Sequence, residues 1–237
     1  MRFRALACDF DGTIATDGVV AAATLTALES ARRSGRRVIL VTGRTRRQLE
    51  VVFARWQSFD RIVLENGALV VDPVSGAEQI LCDPVSTRLV AALGLRGVEP
   101  LAVGRAICAT GVRHLEAVRE AVRGLGLPLE LVVNRDGVVV LPAGVSKASG
   151  LRTALAALGE PMSACVAVGD AENDLPMLAA VGCGVAVANA LGEVREMADL
   201  RLSRPNGAGI LDLVGRLVAD DLAGASAAAG GAGAAPR

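Results

Sequence analysis

Acidic residues stand where apolar runs stop. Phe3, Ala5 and Leu6 begin a run that ends in Asp9-Phe10-Asp11-Gly12. Residues two apart on a strand point the same way, so Asp9 and Asp11 can face one site. Carboxylates this close repel unless a cation lies between them, and Gly12 breaks the extended run. Ser163 to Val168 is another apolar run. It ends in Gly169-Asp170-Ala171-Glu172-Asn173-Asp174. Acids at a strand end and the following helix start offer the oxygen ligands that a hard divalent cation takes. The ordinary alternatives are an Asp-Gly turn for the first group and an acidic helix cap for the second. A cap accounts for one or two acids, not for three among polar neighbours.

Two further stretches suit an anion. Val38 to Val41 is apolar and ends in Thr42-Gly43. A hydroxyl and a backbone N–H at this place can hold an anionic oxygen, and glycine lets the backbone come close. An N-cap for the next helix is the ordinary role of such a threonine, and both can hold. Lys147 is the one lysine among 25 basic residues, and it opens a predicted helix. A helix N-terminus favours anions and a compact ammonium adds a full charge. The glycine spacing of an ATP-binding P-loop is absent around it.

These residues need elements to carry them. Strands are expected at the N-terminus, Val38–Val41, Arg61–Leu64, Ser163–Val168, Gly182–Val187 and Asp199–Leu202. Helices are expected over Ala21–Ser34, Arg44–Trp56, Gly144–Leu158, Leu191–Met197 and Gly209–Ala219. Leu69–Val71 and Glu78–Leu81 read as a hairpin. Alternating strands and helices imply a parallel sheet with right-handed crossovers, whose ligands bind at the carboxyl ends of the strands. The stretch from Asp83 to Ala143 differs in texture. It reads as helices at Val85–Leu93 and Val112–Leu125 and strands at Leu101–Ala109, Leu129–Val133 and Val138–Leu141. Residues 1–82 and 144–222 thus form an expected core, 83–143 a small α+β insertion, and 223–237 an Ala/Gly tail expected to be disordered.

Composition narrows the classes. The 237 residues are 52% hydrophobic, so a large core is possible, and the formal net charge is zero. Nothing in charge or in the 2% aromatic content suggests a nucleic-acid surface. No apolar run reaches membrane-spanning length, and no leader pattern is seen. The five cysteines lack metal-site spacing and read as buried thiols of a cytoplasmic protein. The arginines at 32–33, 36–37 and 44–47 read mostly as solvated helix caps.

The chain resembles the haloacid dehalogenase superfamily of Mg²⁺-dependent phosphohydrolases. Its first motif, Asp-x-Asp-x-Thr, stands as Asp9 to Thr13. Thr42 fits the second, Lys147 the third, and Gly169 to Asp174 the fourth. Glu65-Asn66-Gly67-Ala68 and Ala188-Asn189-Ala190 resemble turns of the Cof-type branch, which carries an α/β cap between the second and third motifs. The resemblance implies a Rossmann-like α/β core under that cap. It implies Mg²⁺ held by Asp9, Asp170 and the backbone carbonyl of Asp11, with Asp174 in support. Asp9 would be the nucleophile and Asp11 the acid and base. Thr42, Gly43, Lys147 and Asn173 would hold the phosphoryl group. Dehalogenases of the superfamily lack the second acid, since halide leaves without a proton, so Asp11 points to hydrolysis of an organic phosphate. Arg113, His114 and Arg135 are candidate cap contacts for an anionic substrate. The expected substrate is a small phosphate monoester, such as a sugar phosphate or phosphoglycolate. Alternatives are a phosphomutase and a non-catalytic phosphometabolite-binding module. No nucleic-acid or membrane partner is expected.

Overall fold

The computed structural model describes residues 1–134 and 137–223, with Asn134 by its backbone alone. In chain order the elements are β1 (Ala5–Asp9), α1 (Ala22–Arg33), β2 (Arg37–Val41), α2 (Arg46–Val52), β3 (Arg61–Leu64), β4 (Leu69–Val71) and β5 (Glu78–Ile80). Then come α3 (Thr87–Leu95), β6 (Ala102–Val103), β7 (Cys108–Gly111), α4 (Leu115–Leu125), β8 (Leu129–Asn134) and β9 (Gly137–Pro142). The last are α5 (Lys147–Ala157), β10 (Cys165–Gly169), α6 (Leu175–Ala180), β11 (Cys183–Ala186), α7 (Gly192–Met197), β12 (Leu200–Arg201) and α8 (Asn206–Asp220). Arg135 and residues 224–237, the expected tail, lie outside the described residues.

An eight-stranded sheet runs in the order β12-β11-β10-β1-β2-β3-β4-β5. Its strands from β12 to β3 are parallel, while β4 and β5 add as an antiparallel hairpin. Every residue of β1 and β10 is buried, because helices cover both faces of the sheet; strands covered twice read as unbroken apolar runs. Helix α1 buries Thr24, Leu28 and Ala31, one stripe at helical spacing, and packs on α8, which buries Ile210, Leu213 and Leu217.

A four-stranded antiparallel sheet, β6-β7-β9-β8, is built from the insertion. Its strands alternate. Cys108, Val138 and Val140 pack beneath α3 and α4 with Leu89, Leu93 and Val118. Ala106, Ile107, Val139 and Leu141 face the other way and pack with Ala68 from the larger sheet's side.

Two expectations are corrected. The helix expected over 44–56 is confined to α2, and a 3₁₀ turn at Trp56–Ser58 follows. Phe53 leaves the helix because its ring packs inward, 5.5 Å from Phe10 and 6.2 Å from Phe59. The strand expected over 101–109 is instead two short strands joined by a turn. Among the grouped arginines Arg32, Arg33, Arg37 and Arg47 are exposed, while Arg36 is buried and donates to the carbonyls of Phe3 and Leu217 and to Asp221.

Candidate active site

The sheet order puts the chemical residues together. Strands β10, β1 and β2 are neighbours, with Cys8 level with Val168 and Asp9 level with Val41. Asp9, Thr42 and Asp170 therefore leave adjacent strand ends on one edge of the sheet. Lys147 comes from the first position of α5, where Ser146 and Ser149 form a reciprocal cap. That cap fixes the helix start and the backbone of Lys147 with it.

Lys147 Nζ donates to Asp9 Oδ1 at 2.6 Å and to Asp174 Oδ1 at 2.6 Å. Asp174 Oδ2 accepts the N–H groups of Asp170 at 2.9 Å and Ala171 at 3.0 Å. Thr13 donates its hydroxyl to Asp170 Oδ1 at 3.3 Å. Asp9, Asp170, Asp174 and Lys147 are all buried. Burial pushes the Asp9 carboxyl well above the ordinary range, aided by Asp174 and Asp170, against the pull of Lys147. Burial alone would lower Lys147, but Asp174 and Asp9 outweigh it and hold the ammonium above its ordinary value.

The cluster fits a divalent cation. Asp9, Asp170 and Asp174 can each offer a carboxylate oxygen, all within 4.8 Å of one another. An all-oxygen, acidic donor set is the kind that hard cations take. The cradle is also shaped by glycine: a Cβ at Gly12 would lie 2.4 Å from Asp170 Oδ2, and φ there is +79°. Asp174 also binds Lys147 through Oδ1 and two backbone N–H groups through Oδ2, which fixes its position in the cluster.

A cavity of about 710 Å³ opens in front of the cluster. Asp9, Asp11, Gly43, Lys147, Asp170 and Asn173 all border it. The smaller sheet contributes Ala109, Gly137 and Val139 to its wall. Asp11 stands apart from the buried acids, with its side chain 49% exposed, in a two-pronged ion pair with Arg44. Thr42 is fully buried and does not border the cavity; its hydroxyl accepts the N–H of Arg44 at 3.1 Å. Asn173 donates to Asn66 Oδ1 at 2.9 Å. Arg113 and His114 are not brought to the cavity: both reach the carbonyl of Glu99, at 2.6 and 2.9 Å. Arg135 lies outside the described residues.

Several contributing residues had no role assigned from sequence. Asn189 donates to the carbonyl of Gly12 at 2.8 Å and accepts from Asn206 N at 2.9 Å, tying the first acidic loop to the start of α8. Buried Glu65 accepts N–H groups from Arg105 at 2.9 Å, Ala106 at 2.9 Å and Ile107 at 3.3 Å. It grips the turn between β6 and β7 and fastens the smaller sheet to the larger one. Both residues sit in turns whose likeness to the Cof-type branch was the available signal. Arg44 had none, being one arginine among many.

Known proteins resemble the chain over most of its length. A family model described as haloacid dehalogenase-like hydrolase matches residues 6–93 and 114–214. The chain is 32% identical to the phosphoglycolate phosphatase of Methanothermobacter thermautotrophicus over 225 residues, covering 91% of this chain and 99% of that relative. It is 29% identical to the phosphoglycolate phosphatase of Archaeoglobus fulgidus, covering 88% of this chain and 94% of that relative. A solved haloacid dehalogenase-like hydrolase from Bacteroides thetaiotaomicron shares the fold with a TM-score of 0.76 at 20% identity, covering 91% of this chain and 99% of that one.

Proposed function

The chain belongs to the haloacid dehalogenase-like hydrolases as a phosphatase of the Cof-type branch, and from there we propose that it is a Mg²⁺-dependent phosphatase of small, acidic phosphate monoesters, with 2-phosphoglycolate the leading substrate. One observation carries this reading. Asp9, Lys147, Asp170 and Asp174 form a single buried cluster that opens onto the cavity. The name shared by the two archaeal relatives supports the choice of substrate.

Asp9 is the nucleophile. One carboxylate oxygen attacks phosphorus, the ester P–O bond breaks, and the leaving oxygen takes the proton of the Asp11 carboxyl. Asp11 then takes a proton from water as the water oxygen attacks phosphorus. The Asp9–phosphorus bond breaks and its electron pair returns to the Asp9 carboxylate. Alcohol and hydrogen phosphate leave, and Asp11 is protonated again. Lys147 holds the Asp9 carboxylate in place and offsets the charge of the phosphoryl group. The N–H of Gly43 and the amide of Asn173 hold the phosphoryl oxygens, and Thr42 shapes the loop that presents Gly43. Asp9, Asp170 and the Asp11 carbonyl would hold Mg²⁺, with Asp174 in support. The ion supplies positive charge between a carboxylate and a phosphate that would otherwise repel.

Residues 1–82 and 144–222 form the catalytic core and 83–143 a cap over it. Small side chains at Ala109, Gly137 and Val139 leave room for a compact substrate. No described helix is long and apolar enough to cross a membrane, which is compatible with work on a cytoplasmic metabolite.

The test is phosphate release from a panel of phosphorylated metabolites, with Mg²⁺ and then with excess chelator. Metal-dependent release, fastest from small acidic monoesters, is expected. A folded, metal-loaded protein that releases phosphate from none of them would overturn the reading.

A further inference from the structure

The residue that must exchange protons with the substrate is held by another side chain. Arg44 Nε donates to Asp11 Oδ2 at 2.8 Å and Arg44 Nη2 to Asp11 Oδ1 at 2.7 Å. Such fork-to-fork pairs are both strong and directional. Asp11 lies outside the buried acid group of Asp9, Asp170 and Asp174. A carboxylate locked this way has both oxygens facing the guanidinium rather than the leaving group. To give or take a proton at the reacting centre, Asp11 has to let go of Arg44.

Arg44 is also placed to take another partner. Among the described residues that border the cavity, Lys147 and Arg44 are the cations. Lys147 is buried and already bound to Asp9 and Asp174, so it belongs to the phosphoryl end. Arg44 has a side chain 26% exposed and a backbone pinned between Thr42 and Glu65, with its own carbonyl accepting the N–H of Glu65 at 3.0 Å. Its head can therefore turn while its root stays fixed. The same planar fork that grips Asp11 fits any carboxylate.

We propose that Arg44 is a specificity-determining positioning residue: the carboxylate of the substrate displaces Asp11 from the Arg44 guanidinium, and this exchange frees Asp11 for proton transfer. A monoester with a second anionic group thus both anchors itself and unlocks the acid. A neutral monoester leaves the Arg44–Asp11 pair closed. The exchange swaps one carboxylate for another on the same two N–H donors, so no bond is made or broken and no net charge is buried. The inference rests on the phosphatase reading above.

The test compares 2-phosphoglycolate with ethyl phosphate, in which a methyl group replaces the carboxylate, in the Mg²⁺-loaded full chain. In the wild type 2-phosphoglycolate is the better substrate. In Arg44→Ala the kcat/KM ratio between the two esters falls by about tenfold or more, the worth of a charge-assisted pair. The loss on 2-phosphoglycolate appears in KM, from the lost anchor, while kcat on both esters is kept, because Asp11 is no longer held. Arg44→Lys, which keeps the charge but not the fork, falls between, and gives the reading if Arg44→Ala melts early. An equal loss on both esters, leaving the ratio at its wild-type value, would mean that Arg44 is only structural and would overturn the exchange. Phosphate released by the folded wild type from other monoesters of the panel but from neither of these two would overturn the exchange and leave the phosphatase reading standing; release from none of the panel would overturn that reading and the exchange with it.

Discussion

Lys147 and Asp9 form a buried ion pair at 2.6 Å, and the same ammonium reaches Asp174 at 2.6 Å. One cation thus pairs with two of the three clustered carboxylates. Removing one partner of a buried pair leaves charge without compensation and costs about 3–5 kcal/mol. Lys147→Met should lower stability by that order in chelator, read from the urea midpoint. Adding Mg²⁺ should recover part of the loss, because a second cation returns to the carboxylates. A variant as stable as the wild type in chelator would contradict this account of the cluster.

Gly12 tests the metal site without altering a carboxylate. Its φ of +79° and the 2.4 Å approach of a Cβ to Asp170 Oδ2 leave no room for a side chain. Binding to the native state alone raises stability by about 2.7 kcal/mol at a hundred times the dissociation constant. Mg²⁺ should raise the melting temperature of the wild type on that scale and have little effect on Gly12→Ala. Equal shifts in the two proteins would remove Asp170 from the site.

Glu65 ties the two sheets together through three backbone N–H groups. Glu65→Gln keeps the shape but turns an NH₂ group toward N–H donors, leaving buried donors unpaired at about 1–3 kcal/mol. The variant should unfold at lower denaturant and show a raised KM, as the smaller sheet loses its seat over the cavity. Gly104→Ala should act alike, since a Cβ there would lie 2.4 Å from Glu65 Oε1.

Glu78 adds a pH-dependent tie at the same place. Its carboxylate binds Arg46 at 2.7 Å and Arg105, from the β6–β7 turn, at 3.1 Å. The bond from Arg46 holds its carboxyl below the usual glutamate range. A lowered carboxyl contributes stability above its unfolded value of about 4.3 and loses it as pH falls through the lower folded value. The gap in stability between wild type and Glu78→Gln should be largest near neutrality, under about 1 kcal/mol for so exposed a pair. It should close on acidification, followed by urea titration at a series of pH values.

What could be read from sequence follows from what the core demands. β1, β2 and β10 are covered on both faces, so their interiors are apolar runs, and the polar residues ending them stand out. Asp9, Thr42 and Asp170 were legible for that reason, and Lys147 because arginine fills every other basic position. Thr42 nonetheless points inward, since strand-end spacing does not say which group of a loop faces the ligand. Arg44 and Glu65 act through partners 33 and 40 or more residues away, and no local pattern announces such pairings. Phe53 ends a helix by tertiary packing of its ring, against a helical pattern that continues to Trp56. Residue type and position near a helix start mark Arg113 and His114 in the sequence, but the carbonyl of Glu99 takes both side chains.

The most direct measurement is turnover of 2-phosphoglycolate by Asp9→Asn beside the wild type, both folded and loaded with Mg²⁺. An amide cannot take the nucleophile's part, so phosphate release should fall by about 10³-fold or more. Wild-type turnover in folded Asp9→Asn would contradict the nucleophile assignment and the mechanism built on it.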